Sequence, residues 1–205
     1  MKMMMMLALA LSVALTTAKG LPSQTTTPAT WYSGVGLHFS TPPQPVADRT
    51  EYTYVCNADN LFISISKPRR TLYVFERRCT GTTLIAAYPV CLGANNGNKA
   101  REGDMRTPES AVCMPFTICS IEDASGWTHN FGDGRGSIPA YGSWFLRLRG
   151  NFPGSGIGIH GSTGNRYSIP GRGSEGCIRL RDEDIIHLRK NYVFVGMKVY
   201  IDSDV

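Results

Sequence analysis

Residues 158–163 read GIHGST and residues 173–180 read GSEGCIRL, so that one imidazole and one thiol stand at the two ends of a glycine-rich connection. A cysteine is a nucleophile only as its thiolate, and a neighbouring imidazole both removes the thiol proton and stabilises the resulting charge. Sixteen residues separate His160 from Cys177, so the two side chains meet only where the chain folds back. Glycines ease such a return because they have no Cβ, and they stand at Gly161, Gly164, Gly171, Gly173 and Gly176.

The glycine directly before the thiol adds a second feature. Because Gly176 has no Cβ, backbone N–H groups beside Cys177 can turn toward a developing oxyanion. Taken alone, a free cysteine is most often a small buried apolar residue, and a histidine at a strand end is often satisfied by a backbone carbonyl. The combination of His160, Cys177 and the flanking glycines indicates an enzyme that transfers acyl groups.

These residues resemble the signature of the YkuD-type L,D-transpeptidases, the cysteine enzymes of bacterial cell-wall peptidoglycan. The resemblance consists of His-Gly, a spacer of this length, and Ser-x-Gly-Cys-Ile-Arg. Upstream, residues 103–109 read GDMRTPE and resemble the Gly-x-x-x-Thr-Pro-x segment of that family, although Ser110 stands where a further Gly is usual. The resemblance covers about residues 61–201 and is strongest over residues 157–180.

The resemblance implies a role for each matched residue. Cys177 matches the nucleophile, and His160 matches the general base and acid. Gly161 matches the position whose backbone carbonyl orients the imidazole in place of a triad carboxylate. Ser174 matches a hydroxyl that hydrogen-bonds within the loop, and Arg179 is placed to hold a carboxylate of the donor stem by a bidentate contact.

The resemblance further implies that backbone amides around Glu175, Gly176 and Cys177 form the oxyanion hole. Glu175 is also a departure, since the family usually has a second histidine there. If this position contributes only its amide, the replacement is tolerated; alternatively, its carboxylate raises the thiol pKa by like-charge repulsion and slows acylation. Because His160 is retained, we interpret the chain as an active variant. The other histidines lie outside the motif: His38, His129 and His187.

The implied reaction has two steps. Cys177 attacks the L,D-peptide bond of a tetrapeptide stem, usually between meso-diaminopimelate and D-Ala, and D-Ala leaves; an amine of another stem or of an anchored protein then resolves the thioester. If water resolves it, the enzyme is an L,D-carboxypeptidase or a hydrolase, and the sequence leaves this open.

Two other classes of protein are alternatives to such an enzyme. A catalytically silent wall-binding module would not alkylate at Cys177, and a papain-like peptidase needs an Asn or Asp orienter that we cannot assign.

Composition limits the possible partners. The chain of 205 residues has 42% hydrophobic and 18% charged residues, which is typical of a globular protein. The net charge of +5 suits an anionic substrate such as a carboxylate-bearing peptide. No basic run is interleaved with aromatic residues, which disfavours nucleic acid. The resemblance implies peptidoglycan stem peptides as the substrate, and we predict a monomer that binds no nucleic acid and uses no cofactor.

The chain is predicted to have three parts. Residues 1–18 are predicted to be a secretory signal, with Lys2 before an apolar core of thirteen residues that is shorter than the about 20 needed to span a bilayer. An uncleaved anchor is the alternative. Residues 19–50 form a linker rich in Pro and Thr, and residues 51–205 form the catalytic domain. The protein is predicted to be exported to the periplasm or envelope of a bacterium, without stable membrane insertion once the signal is cleaved.

The chain has six cysteines: Cys56, Cys79, Cys91, Cys113, Cys119 and Cys177. Disulfides are plausible in an exported chain. If Cys177 is the nucleophile, five remain, so at least one more stays unpaired. A zinc site is disfavoured because no C-x-x-C occurs and no histidine stands at ligand spacing from a cysteine pair. We predict no metal site.

Hydrophobic alternation predicts a mostly β fold with one or two short helices. Residues 61–66, 71–76 and 82–92 are predicted to form an antiparallel meander. Further strands are predicted over residues 114–121, 141–149, 156–160 and 198–201. No long helix alternates with the strands, which disfavours a doubly wound sheet.

Two remaining stretches complete the predicted fold. Residues 122–140 are predicted to be a loop. A helix is predicted from an N-cap at Asp182 to about Asn191. The family resemblance implies a YkuD-like β-sandwich of mixed sheets, with the active-site cysteine in a glycine-rich loop.

Overall fold

The computed structural model describes residues 60–79 and 81–204. The predicted signal and linker lie outside these residues, as do the start of the predicted catalytic domain, Cys56 and His38. Within the described part of the chain, no helix is long and apolar enough to cross a membrane.

Twelve strands and one α-helix make up the regular structure of the described residues. The strands are β1 (Leu61–Ser66), β2 (Thr71–Arg78), β3 (Gly81–Pro89), β4 (Cys91–Gly93), β5 (Phe116–Asp123), β6 (Thr128–Asn130), β7 (Ser137–Pro139), β8 (Trp144–Arg149), β9 (Gly158–His160), β10 (Gly171–Ser174), β11 (Ile178–Arg179) and β12 (Lys198–Ile201). The helix α1 spans Asp182–Asn191, and a short 3-10 turn spans Arg166–Ser168. The predicted mostly β fold with one or two short helices is confirmed.

The first three strands form the predicted antiparallel meander. Ile63 of β1 pairs with Val74 of β2, and Val74 pairs with Ala86 of β3. β1 is buried on both faces, although its sequence alternates. Ile63 points into the main core, while Phe62 on the other face packs against the ring of Tyr200 at 5.6 Å between centroids. Neighbouring side chains, rather than the alternation, therefore decide how deeply this strand is buried.

Ten strands form one mixed sheet in the order β10-β4-β11-β9-β8-β5-β12-β1-β2-β3. In this order β3 and β4 lie eight positions apart, yet only Val90 separates them in sequence. Eight spacings in a flat sheet would span about 38 Å, whereas the chain from Pro89 to Cys91 reaches at most about 7 Å. The sheet therefore bends back on itself and encloses one core, which gives the predicted sandwich of mixed strands.

The core between the two halves of the bent sheet is continuous. It joins residues from the strands at both ends of the order, such as Leu72 of β2 and Leu92 of β4. Ile159 of β9 and Ile178 of β11 are paired neighbours, and neither side chain is exposed. Burial of paired apolar side chains stabilises this pairing by about 1.5–3 kcal/mol for each large side chain. These two strands carry the predicted site.

The helix α1 has the predicted bounds, but its N-cap differs from the prediction. Arg181 is the N-cap residue, and Asp182 is the first helical residue. The Asp182 carboxylate accepts hydrogen bonds from the backbone N–H and the hydroxyl of Ser143, at 2.6 and 2.7 Å. The prediction of Asp182 as N-cap was therefore wrong, because its side chain binds the segment before β8 instead of its own helix.

Two stretches predicted as loops contain short strands. β6 and β7 pair as an antiparallel hairpin within residues 122–140. β10 lies within the glycine-rich connection, β11 directly follows Cys177, and both pair with β4. These strands are two to four residues long, which is too short for hydrophobic alternation to identify. Their neighbours in the sheet determine their conformation.

A buried lysine connects β1 to the segments that flank the predicted site. The Lys67 side chain is fully buried directly after β1, and its Nζ lies 2.6 Å from Glu109 Oε1 and 2.9 Å from Asp204 Oδ2. It also donates to the carbonyl oxygens of Gly97 and Thr107 at 2.9 and 3.2 Å. One ammonium group thus holds the loop of residues 93–109 against the sheet.

We expect Lys67→Met to lower the free energy of unfolding by about 3–5 kcal/mol, because two largely buried carboxylates would lose their shared cation. Urea denaturation at pH 7 measures this change. Lys198→Met is the matched control, since the Lys198 ammonium only reaches the exposed hydroxyl of Thr117; its effect should stay within about 0.5 kcal/mol. Equal effects of the two substitutions would contradict a stabilising role for the Lys67 contacts.

Candidate active site

The pairing of β9 with β11 brings the predicted histidine and cysteine together. The two strands are parallel, with Ile159 opposite Ile178 and His160 opposite Arg179. Successive side chains of a strand point to opposite faces of the sheet. Because both isoleucines point into the core, His160 and Arg179 lie on the other face, and Cys177, one residue before Ile178, lies there too. The glycine-rich connection between them therefore returns the thiol to the strand that carries the imidazole.

The imidazole of His160 is held in one tautomer. Its Nδ1 lies 2.6 Å from the carbonyl oxygen of Gly161, the contact that the family resemblance implies. A carbonyl oxygen only accepts, so Nδ1 carries the proton and Nε2 of the neutral ring is an acceptor. The ring stacks on Phe145, with centroids 5.5 Å apart and planes 10° apart, and lies 5.0 Å from the ring of Tyr141. Packing and the hydrogen bond together fix its orientation.

The protonation state of His160 follows from its burial. The residue is 2% exposed. Burial lowers the pKa of His160 to about 3, the hydrogen bond to Gly161 opposes this change, and the positive charge of Arg179 adds to it. At neutral pH the ring is therefore an uncharged base.

The thiol of Cys177 is also uncharged at rest. Its Sγ donates to the carbonyl oxygen of Gly156 at 3.4 Å. Part of the residue reaches solvent, but protein atoms surround the sulfur, and this burial raises the pKa of the Cys177 thiol above its ordinary value. A hydrogen bond with the backbone of Gly158 opposes the rise. The site therefore combines a neutral thiol with a neutral imidazole, and not a preformed ion pair.

Three charged side chains act on this thiol. The positive charges of Arg179 and Lys99 lower the pKa of Cys177, while the negative charge of Glu175 raises it. The Glu175 side chain is 51% exposed, so solvent screens much of its effect. Lys99 lies outside the motif, and the sequence analysis missed it.

The loop before Cys177 is held by Ser174. The buried Ser174 hydroxyl donates to the carbonyl oxygen of Cys177 at 2.5 Å and accepts from the N–H of Gly176 at 3.1 Å. The Gly176 amide is therefore directed at Ser174, although the resemblance placed it with the oxyanion donors. Gly176 has φ +132°, and a Cβ there would stand 2.8 Å from the carbonyl oxygen of Arg106. Only glycine fits this conformation and this close approach.

Arg179 is buried beneath the β6–β7 hairpin. It is 5% exposed, and one of its N–H groups donates to the Gly173 carbonyl oxygen at 3.1 Å. Its guanidinium carbon lies 5.1 Å from the centroid of the Phe131 ring, which directly follows β6. At 5% exposure the Arg179 guanidinium is not open to a carboxylate in this structure, and Phe131 is one of the groups that cover it.

The hairpin also brings His129 to the site, which the sequence analysis placed outside the motif. His129 Nε2 lies 3.5 Å from Glu175 Oε2, and its ring lies 6.4 Å from that of Tyr141. Tyr141 is part of the same environment: burial raises its pKa, and so do the thiolate form of Cys177 and the negative charge of Glu175. The alternation of rings at Trp127, His129 and Phe131 was a signal for a strand. No sequence signal indicated that this strand covers the site.

Two further predictions concern disulfides and a metal site. The five cysteines within the described residues are free: Cys79, Cys91, Cys113, Cys119 and Cys177. No disulfide is therefore present among them, and Cys56 lies outside the described range. In residues 60–79 and 81–204, no group of three or more His, Cys, Asp or Glu side chains is arranged to hold a metal ion.

The sequence matches the profile of the YkuD family, described as the L,D-transpeptidase catalytic domain, over residues 60–201. The chain therefore belongs to the YkuD family of L,D-transpeptidase catalytic domains. No curated protein matches its sequence.

Several solved structures are similar to this chain. Bd1075 of Bdellovibrio bacteriovorus is 23% identical, with a TM-score of 0.49, over 70% of this chain and 48% of its own. The helical cell shape determining protein of Campylobacter jejuni is 19% identical, with a TM-score of 0.47, over 71% of this chain and 48% of its own. An L,D-transpeptidase of Mycobacterium smegmatis is 16% identical, with a TM-score of 0.46, over 70% of this chain and 59% of its own. This chain thus spans about half the length of the first two proteins.

We expect His160→Gln to flatten the pH dependence of stability between pH 6.5 and about 3. An unfolded histidine binds a proton near pH 6.5, whereas buried His160 stays neutral down to about pH 3. In this window the unfolded state binds more protons, so stability falls with falling pH, by up to about 1.4 kcal/mol per pH unit. Thermal unfolding of the wild type and of His160→Gln at pH 7, 6, 5 and 4 measures how the stability of each protein depends on pH. Equal slopes for the two proteins would contradict a neutral buried ring.

We expect Glu175→Gln to accelerate alkylation of Cys177 by iodoacetamide about two- to fivefold at pH 7.5, because removal of a nearby negative charge favours the thiolate. Peptide mass spectrometry separates Cys177 from the other free thiols. Glu183→Gln, at an exposed position of α1, is the control and should leave the rate unchanged. A lower pKa of the Cys177 thiol shifts the plot of alkylation rate against pH to lower pH. A uniform gain at every pH would instead indicate an opened hairpin and would contradict the electrostatic explanation.

Proposed function

We propose that this protein is an L,D-transpeptidase that acts on the tetrapeptide stems of peptidoglycan through a thioester on Cys177. The observation that carries the proposal is the β9–β11 pairing, which sets a neutral imidazole and a thiol on one face of adjacent strands. Membership of the YkuD family supports it. The predicted export to the periplasm or cell envelope, the monomeric state and a contribution to wall biogenesis and cell shape belong to the same proposal.

Acylation begins from the uncharged pair. Nε2 of His160 takes the thiol proton as Sγ of Cys177 attacks the carbonyl carbon of the L,D-peptide bond. The resulting tetrahedral oxyanion collapses, the C–N bond breaks, and the imidazolium returns its proton to the leaving amine of D-Ala. Because the thiol pKa is raised and the imidazole pKa is lowered, the proton moves only when the attack makes the transfer favourable. This keeps the thiol protonated between turnovers.

Deacylation reverses the roles. An acceptor amine attacks the thioester carbonyl and gives its proton to His160, and Sγ leaves as the thiolate and recovers that proton. The carbonyl of Gly161 keeps Nδ1 protonated in both steps, so that the same nitrogen, Nε2, acts as base and as acid. Burial of His160 makes the imidazolium a short-lived state. The same residue thereby serves both half-reactions.

Stabilisation of the oxyanion is assigned to the backbone N–H of Cys177, with the amide of Glu175 as the second donor. The Gly176 amide is directed at Ser174 and contributes by fixing the turn. Arg179 is assigned to the substrate carboxylate, which displaces the Phe131 ring from the guanidinium as it binds. Binding of the donor stem is thereby linked to movement of the hairpin.

The hairpin favours transfer over hydrolysis. Phe131 lies against Arg179 and His129 pairs with Glu175, and we assign to this hairpin the exclusion of water from one side of the thioester. An acceptor amine that also contacts this surface reaches the thioester in preference to water. If the hairpin stayed open after acylation, the same residues would catalyse the carboxypeptidase reaction.

We expect the wild-type protein to convert disaccharide-tetrapeptide into a cross-linked dimer with release of D-Ala, as measured by mass spectrometry. Cys177→Ala should abolish the product, and His160→Gln should slow its formation about 10²- to 10⁴-fold. Cys113→Ser, which changes an exposed thiol, is the control and should retain activity. Release of D-Ala without a dimer would overturn transfer in favour of the carboxypeptidase. The absence of both product and thioester would favour the silent wall-binding module.

A further inference from the structure

A second buried lysine lies under the nucleophile loop. Lys99 is 6% exposed, and its Nζ lies 2.9 Å from Oδ1 of Asp104, a side chain that is 6% exposed. The Asp104 carboxylate also accepts the backbone N–H groups of Ala100, Arg101 and Arg106, at 2.7, 3.1 and 3.0 Å. Four donors thus hold this carboxylate, and the Lys99 ammonium is one of them.

The ammonium end of this pair faces the residue before the nucleophile. A Cβ placed on Gly176 would stand 3.4 Å from Lys99 Nζ and 2.8 Å from the carbonyl oxygen of Arg106. The loop of residues 93–109 therefore presents a positive charge and a backbone carbonyl directly against Gly176. Because Cys177 follows Gly176, the ammonium lies next to the atoms where negative charge develops during acylation.

The groups that face Cys177 come from several elements. Arg179 of β11 and Arg147 of β8 are positive, and the neutral rings of His160 and Tyr141 line the same region. Glu175 is the negative group, and it is paired with His129 of the hairpin. Glu175 is half-exposed and screened by water, whereas Lys99 acts through protein, where the effective dielectric constant is lower. Lys99 is therefore placed to oppose the charge that Glu175 introduces.

We propose that Lys99 is a positioning residue for the nucleophile: its buried ammonium, which faces Gly176 from the 93–109 loop, favours the thiolate of Cys177 despite Glu175. The inference rests on the proposed function only in taking Cys177 as the nucleophile. The alternative is that the Lys99–Asp104 pair merely fastens the loop. The two roles predict different effects of the two partners on alkylation. An electrostatic role belongs to the Lys99 cation alone, whereas a fastening role belongs to Lys99 and Asp104 equally.

The test compares alkylation of Cys177 by iodoacetamide from pH 6 to 10 in the full chain, with thermal unfolding of each variant as a check on folding. Lys99→Met and the doubly neutral Lys99→Met/Asp104→Asn should slow alkylation below the thiol pKa about three- to tenfold. Lys99→Arg should restore the profile. Asp104→Asn should be no slower than wild type. Lys190→Met, at an exposed position of α1, is the matched control for loss of one positive charge and should leave the profile unchanged.

Two results would overturn the inference. Equal slowing in Asp104→Asn and Lys99→Met would assign the pair a fastening role only. A wild-type profile in Lys99→Met/Asp104→Asn would remove any effect of the cation. If Lys99→Met and Lys99→Met/Asp104→Asn do not fold, Asp104→Asn and Lys99→Arg still test the proposal. Slower alkylation of Cys177 in either variant contradicts it. Alkylation requires no peptidoglycan, so turnover of the tetrapeptide tests the function separately from the role of Lys99.

Discussion

The parallel pairing of β9 with β11 is the constraint on which the rest of the site depends. It is stabilised by the burial of Ile159 against Ile178 on the core face of the sheet. Because side chains alternate along a strand, this burial forces His160 onto the opposite face, beside the segment that carries Cys177. A shift of one residue in either strand would turn an isoleucine toward solvent and a catalytic group into the core. The core and the active site therefore specify the same register.

The electrostatics of the site follow from where this pairing lies in the protein. Both reacting groups are enclosed, and enclosure disfavours the charged form of each. The resting site is consequently neutral, and charge develops only as the thiol attacks. Glu175 adds a negative charge that the family pattern does not have, while Arg179 and, in our inference, Lys99 oppose it with positive charges held in the protein interior. The departure at Glu175 is thus compatible with a working nucleophile.

The β6–β7 hairpin gives the site a cover that the motif does not specify. Phe131 lies over the guanidinium of Arg179, and His129 pairs with Glu175 at 3.5 Å. The His129–Glu175 pair is weak, since exposed ion pairs contribute about 0–1 kcal/mol. A substrate that offers its own carboxylate can therefore displace it. In the proposed function, weak closure of this type would let the same hairpin admit a donor stem and then shield the thioester from water.

The sequence by itself determined the strand-rich class and the family that the motif indicates, because hydrophobic alternation and the spacing of His160 and Cys177 are local properties of the chain. It did not determine the strands of two to four residues, whose conformation depends on partners distant in sequence. Lys99, His129 and Tyr141 were missed for the same reason: each lies far along the chain from Cys177 and reaches it only because the sheet bends back on itself and the hairpin folds over it. Proximity across such distances is a property of packing, and only the tertiary structure decided it.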